Sequence, residues 1–150
     1  MSDQSALLVA LEEFEACLEV PLIPGEFPNW TAAMKRACSQ AVTALEEHIP
    51  VWHLPVLDQI SREDPELATR VQKLRDEDAA LLSQAAQVEA EANMIAGDAT
   101  ELESQDPTIQ QDVEGFIARG LAWIIQVRKQ EAALTAWYQE AFNRDTGVAD

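Results

Sequence analysis

The residues best suited to chemistry are the two histidines of the chain, His48 and His53, which fall in the helical stretch Ala44–Leu57. A histidine within an apolar helical stripe is either a metal ligand or a core residue with hydrogen-bonded ring nitrogens. Their five-residue spacing places the rings about 140° apart on a regular α-helix, so they should point apart. A distortion at Pro50 would change that angle. Two histidines with one acid would then make at most one mononuclear, zinc-type site.

Other signatures of catalysis are missing from the sequence. It contains no glycine-rich phosphate loop, no GxSxG motif and no CxxC pair. The Glu-x-x-His signature of di-iron bundles is absent because Leu45 and Pro50 stand three residues before the histidines. Cys17 and Cys38 lack the spacing of a metal pair and are interpreted as small buried hydrophobes. The sequence therefore predicts that the protein is not an enzyme.

Four helices are predicted to position these side chains. Apolar residues recur at steps of three and four, the spacing that lines one face of a helix. Pro50 and Pro55 are expected to bend or locally break the second helix, because each removes a helical hydrogen bond. The predicted helices are 3–20, 30–60, 65–97 and 107–143. With no alternating strand pattern, the chain is predicted to be one all-α domain, 1–150, folded as an antiparallel up-and-down four-helix bundle.

Three of the apolar stripes carry one polar residue each, namely His48, Asp78 and Gln130. His48 and Asp78 lie at matching depth, roughly 18 to 20 Å from the turn that joins the second and third helices. They are therefore predicted to face each other and to form a direct hydrogen bond, because a buried carboxylate without a donor is costly. The alternative is that a distortion at Pro50 swings His48 aside and Asp78 reaches solvent. The position of Gln130 relative to this pair depends on the length of the third connection.

Three segments of the chain resemble hemerythrin-like domains. LEEHIPVWHLPVL (45–57) is similar to their second helix, LRDEDAALL (74–82) to their third helix, and QEAFNRDTGVAD (139–150) to the C-terminal ending of some bacterial members. Trp30, at the start of the second helix, fits the same pattern. The resemblance implies a four-helix bundle whose non-haem di-iron centre binds dioxygen or senses oxygen and redox state.

The same resemblance implies that this di-iron site has been lost. The matched positions are Phe14, His48, Trp52, Leu74, Asp78, Gln130 and Leu134, and only His48 keeps the residue type of the family's ligands. Phe, Trp and Leu cannot ligate iron, and one histidine with one aspartate falls far short of the ligand set that two irons need. We therefore expect a degenerate former-site layer filled with hydrophobic side chains, with no metal ligands and no cofactor.

Two functions are consistent with this pattern. The leading hypothesis is a non-catalytic structural or protein-interaction module. The alternative is a small-molecule or metal-binding sensor that uses the former di-iron cavity, lined by Trp52, Leu74, Leu134 and the three polar stripe residues. A retained cavity would distinguish the sensor from the filled module.

Charge and composition limit the expected partners. The chain has 27 acidic and 10 basic residues and a formal net charge of -17, which predicts no nucleic-acid or membrane partner and favours a basic surface on any protein partner. The same repulsion favours a monomer. No apolar run approaches the roughly 20 residues of a membrane span. With two cysteines and no charged-then-apolar leader, a cytoplasmic location is expected.

Overall fold

The regular structure of this chain is entirely helical. The computed structural model describes residues 2–23, 25–98 and 107–147, and no strand occurs among them, which confirms the all-α prediction. Two short turns accompany five α-helices. The helices are α1 (Ser2–Glu19), α2 (Phe27–His48), α3 (Leu54–Glu63), α4 (Ala68–Asp98) and α5 (Pro107–Gly147); a π-helical turn (Ile49–His53) joins α2 to α3, and a 3-10 turn (Pro65–Leu67) precedes α4.

The π turn makes α2 and α3 one continuous rod, so the bundle contains four long helical rods. Pro50 and Pro55 were expected to bend or break this rod, yet the backbone on both sides stays helical, with φ -59° and ψ -53° at Ile49 and φ -62° and ψ -45° at Leu54. Proline clashes with the carbonyl four residues earlier in an α-helix. Widening the turn by one residue relieves that clash while the rod continues.

Each rod packs against its neighbours in a ring. The contacts join α1 to α2, α2 to α4, α4 to α5 and α5 to α1, while α3 packs on α4 and α5. Surface ion pairs also join α5 to α1 and to α4. Arg128 Nη1 lies 2.6 Å from Glu15 Oε2, and Arg119 Nη2 lies 2.7 Å from Glu91 Oε2. The ring encloses the apolar stripes on which the sequence analysis relied.

The larger hydrophobic cluster, called here the apolar core, is built around Phe14. Its ring lies 6.4 Å from that of Phe116 and 6.3 Å from that of Trp123. The Trp123 indole donates a hydrogen bond to the Leu81 carbonyl at 3.1 Å, so its polar atom is satisfied inside the core. Gly120 lets α1 and α5 approach closely, because a Cβ atom there would lie 2.9 Å from Leu18 Cδ1.

A smaller hydrophobic cluster lies where α3, α4 and α5 meet. Its buried residues are Val56, Leu57, Ile60, Val71, Leu74 and Leu134. Together with the buried histidines, carboxylates and amide of the next section, this cluster is called here the polar end. No helix of the described part of the chain is long and apolar enough to cross a membrane.

The two cysteines are both free thiols. Cys38 is fully buried, as expected, whereas Cys17 is only half-buried. Burial, together with the nearby charge of Glu89, raises the pKa of Cys38 to about 12. A thiol with that pKa stays protonated and unreactive at neutral pH.

Candidate metal centre

The π turn brings the two histidines together. Leu54 N–H donates to the Ile49 carbonyl, a hydrogen bond that spans five residues instead of the usual four. A side chain five residues along the chain therefore takes the place that the fourth would hold in an α-helix. The ring centroids of His48 and His53 lie 4.8 Å apart. The expectation that they point about 140° apart is wrong, because that angle holds only for a regular α-helix.

Glu131, on α5, bridges the two rings. Its Oε2 accepts a hydrogen bond of 2.9 Å from His48 Nε2, and its Oε1 lies within hydrogen-bond reach of His53 Nε2. The exposed fractions are 1% for His48, 0% for His53 and 3% for Glu131. One carboxylate thus faces two imidazole nitrogens in a site shielded from water.

Asp78 holds His53 from the opposite side. Its two carboxylate oxygens both lie 3.0 Å from His53 Nδ1, which donates to them. Gln130 Nε2 donates to Asp78 Oδ1 and to the Leu74 carbonyl, each at 3.1 Å. The predicted bond between His48 and Asp78 is therefore wrong in its partner: the π turn presents His53 to Asp78 and turns His48 towards Glu131.

His48 differs from His53 in its second ring nitrogen. The Nδ1 atom of His48 is buried and has no hydrogen-bond partner among the described residues. Its ring stacks on Trp52, with centroids 5.7 Å apart and planes inclined by 14°. His53 is therefore fixed by hydrogen bonds at both nitrogens, and His48 by one hydrogen bond and one aromatic ring.

The protonation of the site follows from these contacts. Burial alone would lower the pKa of His53, but its hydrogen bonds to Asp78 and Glu131 and their negative charges outweigh it and raise the pKa to about 9. Burial would likewise raise the pKa of Glu131, but hydrogen bonds from His48 and His53 outweigh it and hold the pKa at about 2. Without a metal, the site at neutral pH therefore contains an imidazolium and an ionised Glu131.

The same side chains have the composition of a metal site. His48, His53 and Glu131 each offer one ligand atom, and the three atoms lie within 4.8 Å of one another. Zinc-type ions bind imidazole nitrogen at about 2.0–2.1 Å and carboxylate oxygen at about 2.0–2.2 Å, so small side-chain rotations would close the site around one ion. Asp78 would then serve as the carboxylate that orients a ligand histidine through its other nitrogen, a common arrangement in metal sites.

The residues of the predicted former-site layer are divided between two parts of the bundle. Asp78 and Gln130 join the histidine cluster, and Trp52 covers it. Leu74 and Leu134 belong to the polar end, where the Leu74 carbonyl accepts from Gln130. Phe14, in contrast, packs in the apolar core, with Phe116 and Trp123.

Glu131 was missed by the sequence analysis, which placed Gln130 on the fourth stripe instead. A signal for it was present. Glu131 stands four residues after Val127 and three before Leu134, and both of these are buried. An acid at that spacing lies on the core face of a helix. The stripe at this point is wide enough to bury both Gln130 and Glu131.

Comparisons with protein-family models, with curated proteins and with solved structures found no match for this chain. The resemblance to hemerythrin-like domains therefore remains an expectation from the sequence.

Proposed function

We propose that this protein binds a single divalent transition-metal ion at His48, His53 and Glu131. The observation that carries the proposal is the position of Glu131, whose two oxygens face the Nε2 atoms of both histidines in a fully buried site. Two imidazoles and one carboxylate suit borderline ions such as Zn²⁺, Co²⁺ and Ni²⁺ better than Mg²⁺ or Ca²⁺, which prefer oxygen ligands. It corresponds to the mononuclear, zinc-type site that the sequence analysis left open for the two histidines and one acid, with Glu131 as the acid.

The balance of charge supports a divalent ion. Two carboxylates, Asp78 and Glu131, are each at most 3% exposed, and buried charge is costly unless it is paired. In the metal-free site, the extra proton of the His53 imidazolium supplies compensating charge. A divalent cation would replace that proton and neutralise both carboxylates while the histidines become neutral ligands.

We propose one ion and not two because the site has too few ligand side chains for a second ion. His53 Nδ1 and Gln130 already engage Asp78, which leaves three candidate ligands among the described residues. The loss of the di-iron centre implied by the resemblance remains part of the proposal. We also propose binding without catalysis, since the candidate ligands are buried and a groove of about 1040 Å³ between α1 and α2 is lined by other residues.

The finer fold assignment belongs to the same proposal: a hemerythrin-like, antiparallel up-and-down bundle. Residue pairings across the seams support it. Asp58 contacts Arg75, while Ser39, earlier on the same rod, contacts Glu89, which lies later on α4. The residue numbers of these contacts rise along one rod while they fall along the other, as they do between antiparallel helices.

The test is a metal titration of chelator-treated protein. We expect about one Zn²⁺ per chain by calorimetry and native mass spectrometry, and an affinity loss well beyond tenfold in Glu131→Gln, because a ligand matters more than its supporting partners. Glu114→Gln is the matched control, as it makes the same change at an exposed position of the same helix. The proposal fails if the protein binds no metal, or if Glu131→Gln binds as tightly as the control.

The number of ions is tested separately with iron. Protein prepared with iron should show no oxo-bridged di-iron absorption, because too few ligands remain for two ions. Two iron atoms per chain would contradict the mononuclear site and restore the di-iron interpretation.

A further inference from the structure

Trp52 connects the two buried histidines to the surface of the protein. Its ring stacks on His48 at 5.7 Å and meets His53 edge-on at 6.0 Å, with planes inclined by 68°. The two imidazoles are at most 1% exposed, whereas Trp52 is half-buried. One aromatic side chain thus contacts both candidate ligand rings and also reaches the surface.

The polar partners of the site on α4 and α5 are buried. Asp78 and Gln130 are 3% and 6% exposed, and Leu134 is fully buried. A groove of about 410 Å³ between α4 and α5 includes Gln130 and Ala133 in its lining. Behind Gln130 stands Asp78, which holds the Nδ1 side of His53, whereas the candidate ligand atoms are on the Nε2 side. That groove therefore leads to the supporting carboxylate and not to the ligands.

Trp52 is also held less firmly than the core tryptophans. The indole N–H groups of Trp30 and Trp123 donate to backbone carbonyls at 2.8 and 3.1 Å. The indole N–H of Trp52 makes no hydrogen bond within the described part of the chain. Its outer neighbour is Tyr138, a ring 6.4 Å away that is 39% exposed. Rotating Trp52 outwards breaks ring contacts but no hydrogen bond.

We propose that Trp52 is the gate through which the metal ion enters and leaves the site. This inference rests on the proposed metal binding and adds how exchange is controlled. With Trp52 stacked on His48, the ion is sealed from water and from competing ligands. With Trp52 turned outwards, the stacked face of His48 opens towards the surface, as loops and lids open other enclosed sites.

A gate has a kinetic signature that a supporting residue lacks. It raises the barrier to uptake and to release equally, so its removal accelerates both steps and leaves Kd unchanged. A side chain that merely stabilises the bound site would change Kd, mainly through release. Both rates must therefore be measured.

The experiment compares Trp52→Leu with Trp137→Leu. Trp137 is also half-buried at the polar end. The Arg70 guanidinium lies 4.4 Å above its ring, and among the described residues its ring stacks on neither histidine. Zn²⁺ uptake by metal-free protein and Zn²⁺ release into excess EDTA are followed by stopped flow. We expect Trp52→Leu to accelerate both by about tenfold or more, because opening no longer breaks the ring contacts, and Trp137→Leu to match the wild type. Circular dichroism confirms that both variants remain helical.

Three outcomes separate this inference from its alternatives. Unchanged rates in Trp52→Leu, or faster release with unchanged uptake, would overturn the gate while leaving metal binding intact. Slower exchange in Ala133→Trp, which fills the α4–α5 groove from an exposed position, would place the route there instead. Failure of the wild-type protein to bind Zn²⁺ would overturn the proposed function itself and the gate with it.

Discussion

The apolar core and the polar end of this bundle use buried volume in different ways. Around Phe14, rings and aliphatic side chains fill the interior, and the indole donors of Trp30 and Trp123 are both satisfied by backbone carbonyls. At the polar end, two histidines, two carboxylates and one amide lie in a single buried hydrogen-bond network. Burying such groups seldom stabilises a fold more than apolar residues of similar volume would. The difference indicates that the first region provides stability, and it fits our proposal that the second is retained for binding.

The largest expected effect concerns the apolar core. Phe14→Ala should lower the free energy of unfolding by about 3–5 kcal/mol, because it removes a fully buried ring and leaves a cavity against Phe116 and Trp123. Zn²⁺ affinity should remain unchanged while the variant stays folded. Urea unfolding and a metal titration check the two parts, with Phe14→Leu as the milder control. A large loss of Zn²⁺ affinity in Phe14→Leu would show that Phe14 supports the metal site. The division of roles between the apolar core and the polar end would then be wrong.

A smaller effect is expected from coupling within the polar end. In metal-free protein, the double mutant His53→Leu/Asp78→Leu should be destabilised by about 1–3 kcal/mol less than the sum of the two single mutants, because each single change leaves a buried partner unpaired. The exposed pair Arg119 and Glu91 is the control, where a cycle should give below about 1 kcal/mol. Additive effects of His53 and Asp78 would show that the network contributes no cooperative stability.

The smallest effect is the pH dependence of the metal-free polar end. The pKa of His53 is raised to about 9 from an ordinary 6.5, so its contribution to stability is full below pH 6.5 and is lost as pH rises through about 9. The pKa of Glu131 is lowered to about 2 from 4.5, so its contribution is full above pH 4.5 and is lost as pH falls towards 2. Together these shifts predict the greatest contribution between pH 4.5 and 6.5.

The measurement is a set of urea unfolding curves across that range, with and without Zn²⁺. The alkaline loss should shrink when Zn²⁺ is bound, because the ion replaces the proton between His53 and Glu131. His53→Leu should remove the alkaline loss of stability. That result would assign the loss to His53 and not to Asp78, Glu131 or the neighbouring His48. An alkaline loss that persists in His53→Leu would assign it to other groups.

The sequence by itself determined the helical content and most helix limits. Apolar spacing and the prolines at 65 and 107 placed the third and fourth rods, because helix periodicity and proline geometry are local properties of the chain. The spacing also identified His48, Asp78 and Gln130 as polar residues on buried faces, and all three are buried.

Only the tertiary structure decided which of these residues meet. Pro50 and Pro55 signal a distortion, but the local sequence permits a bend, a break or a wider turn, and packing against α4 and α5 accompanies the wider turn seen here. That one-residue change rotates His53 onto Asp78 and lets His48 and His53 share Glu131. Glu131 is 83 residues from His48 and 78 from His53 in sequence, and it lies on a different rod. Their pairing depends on how the two rods are rotated relative to each other, which is set by packing and not by local spacing.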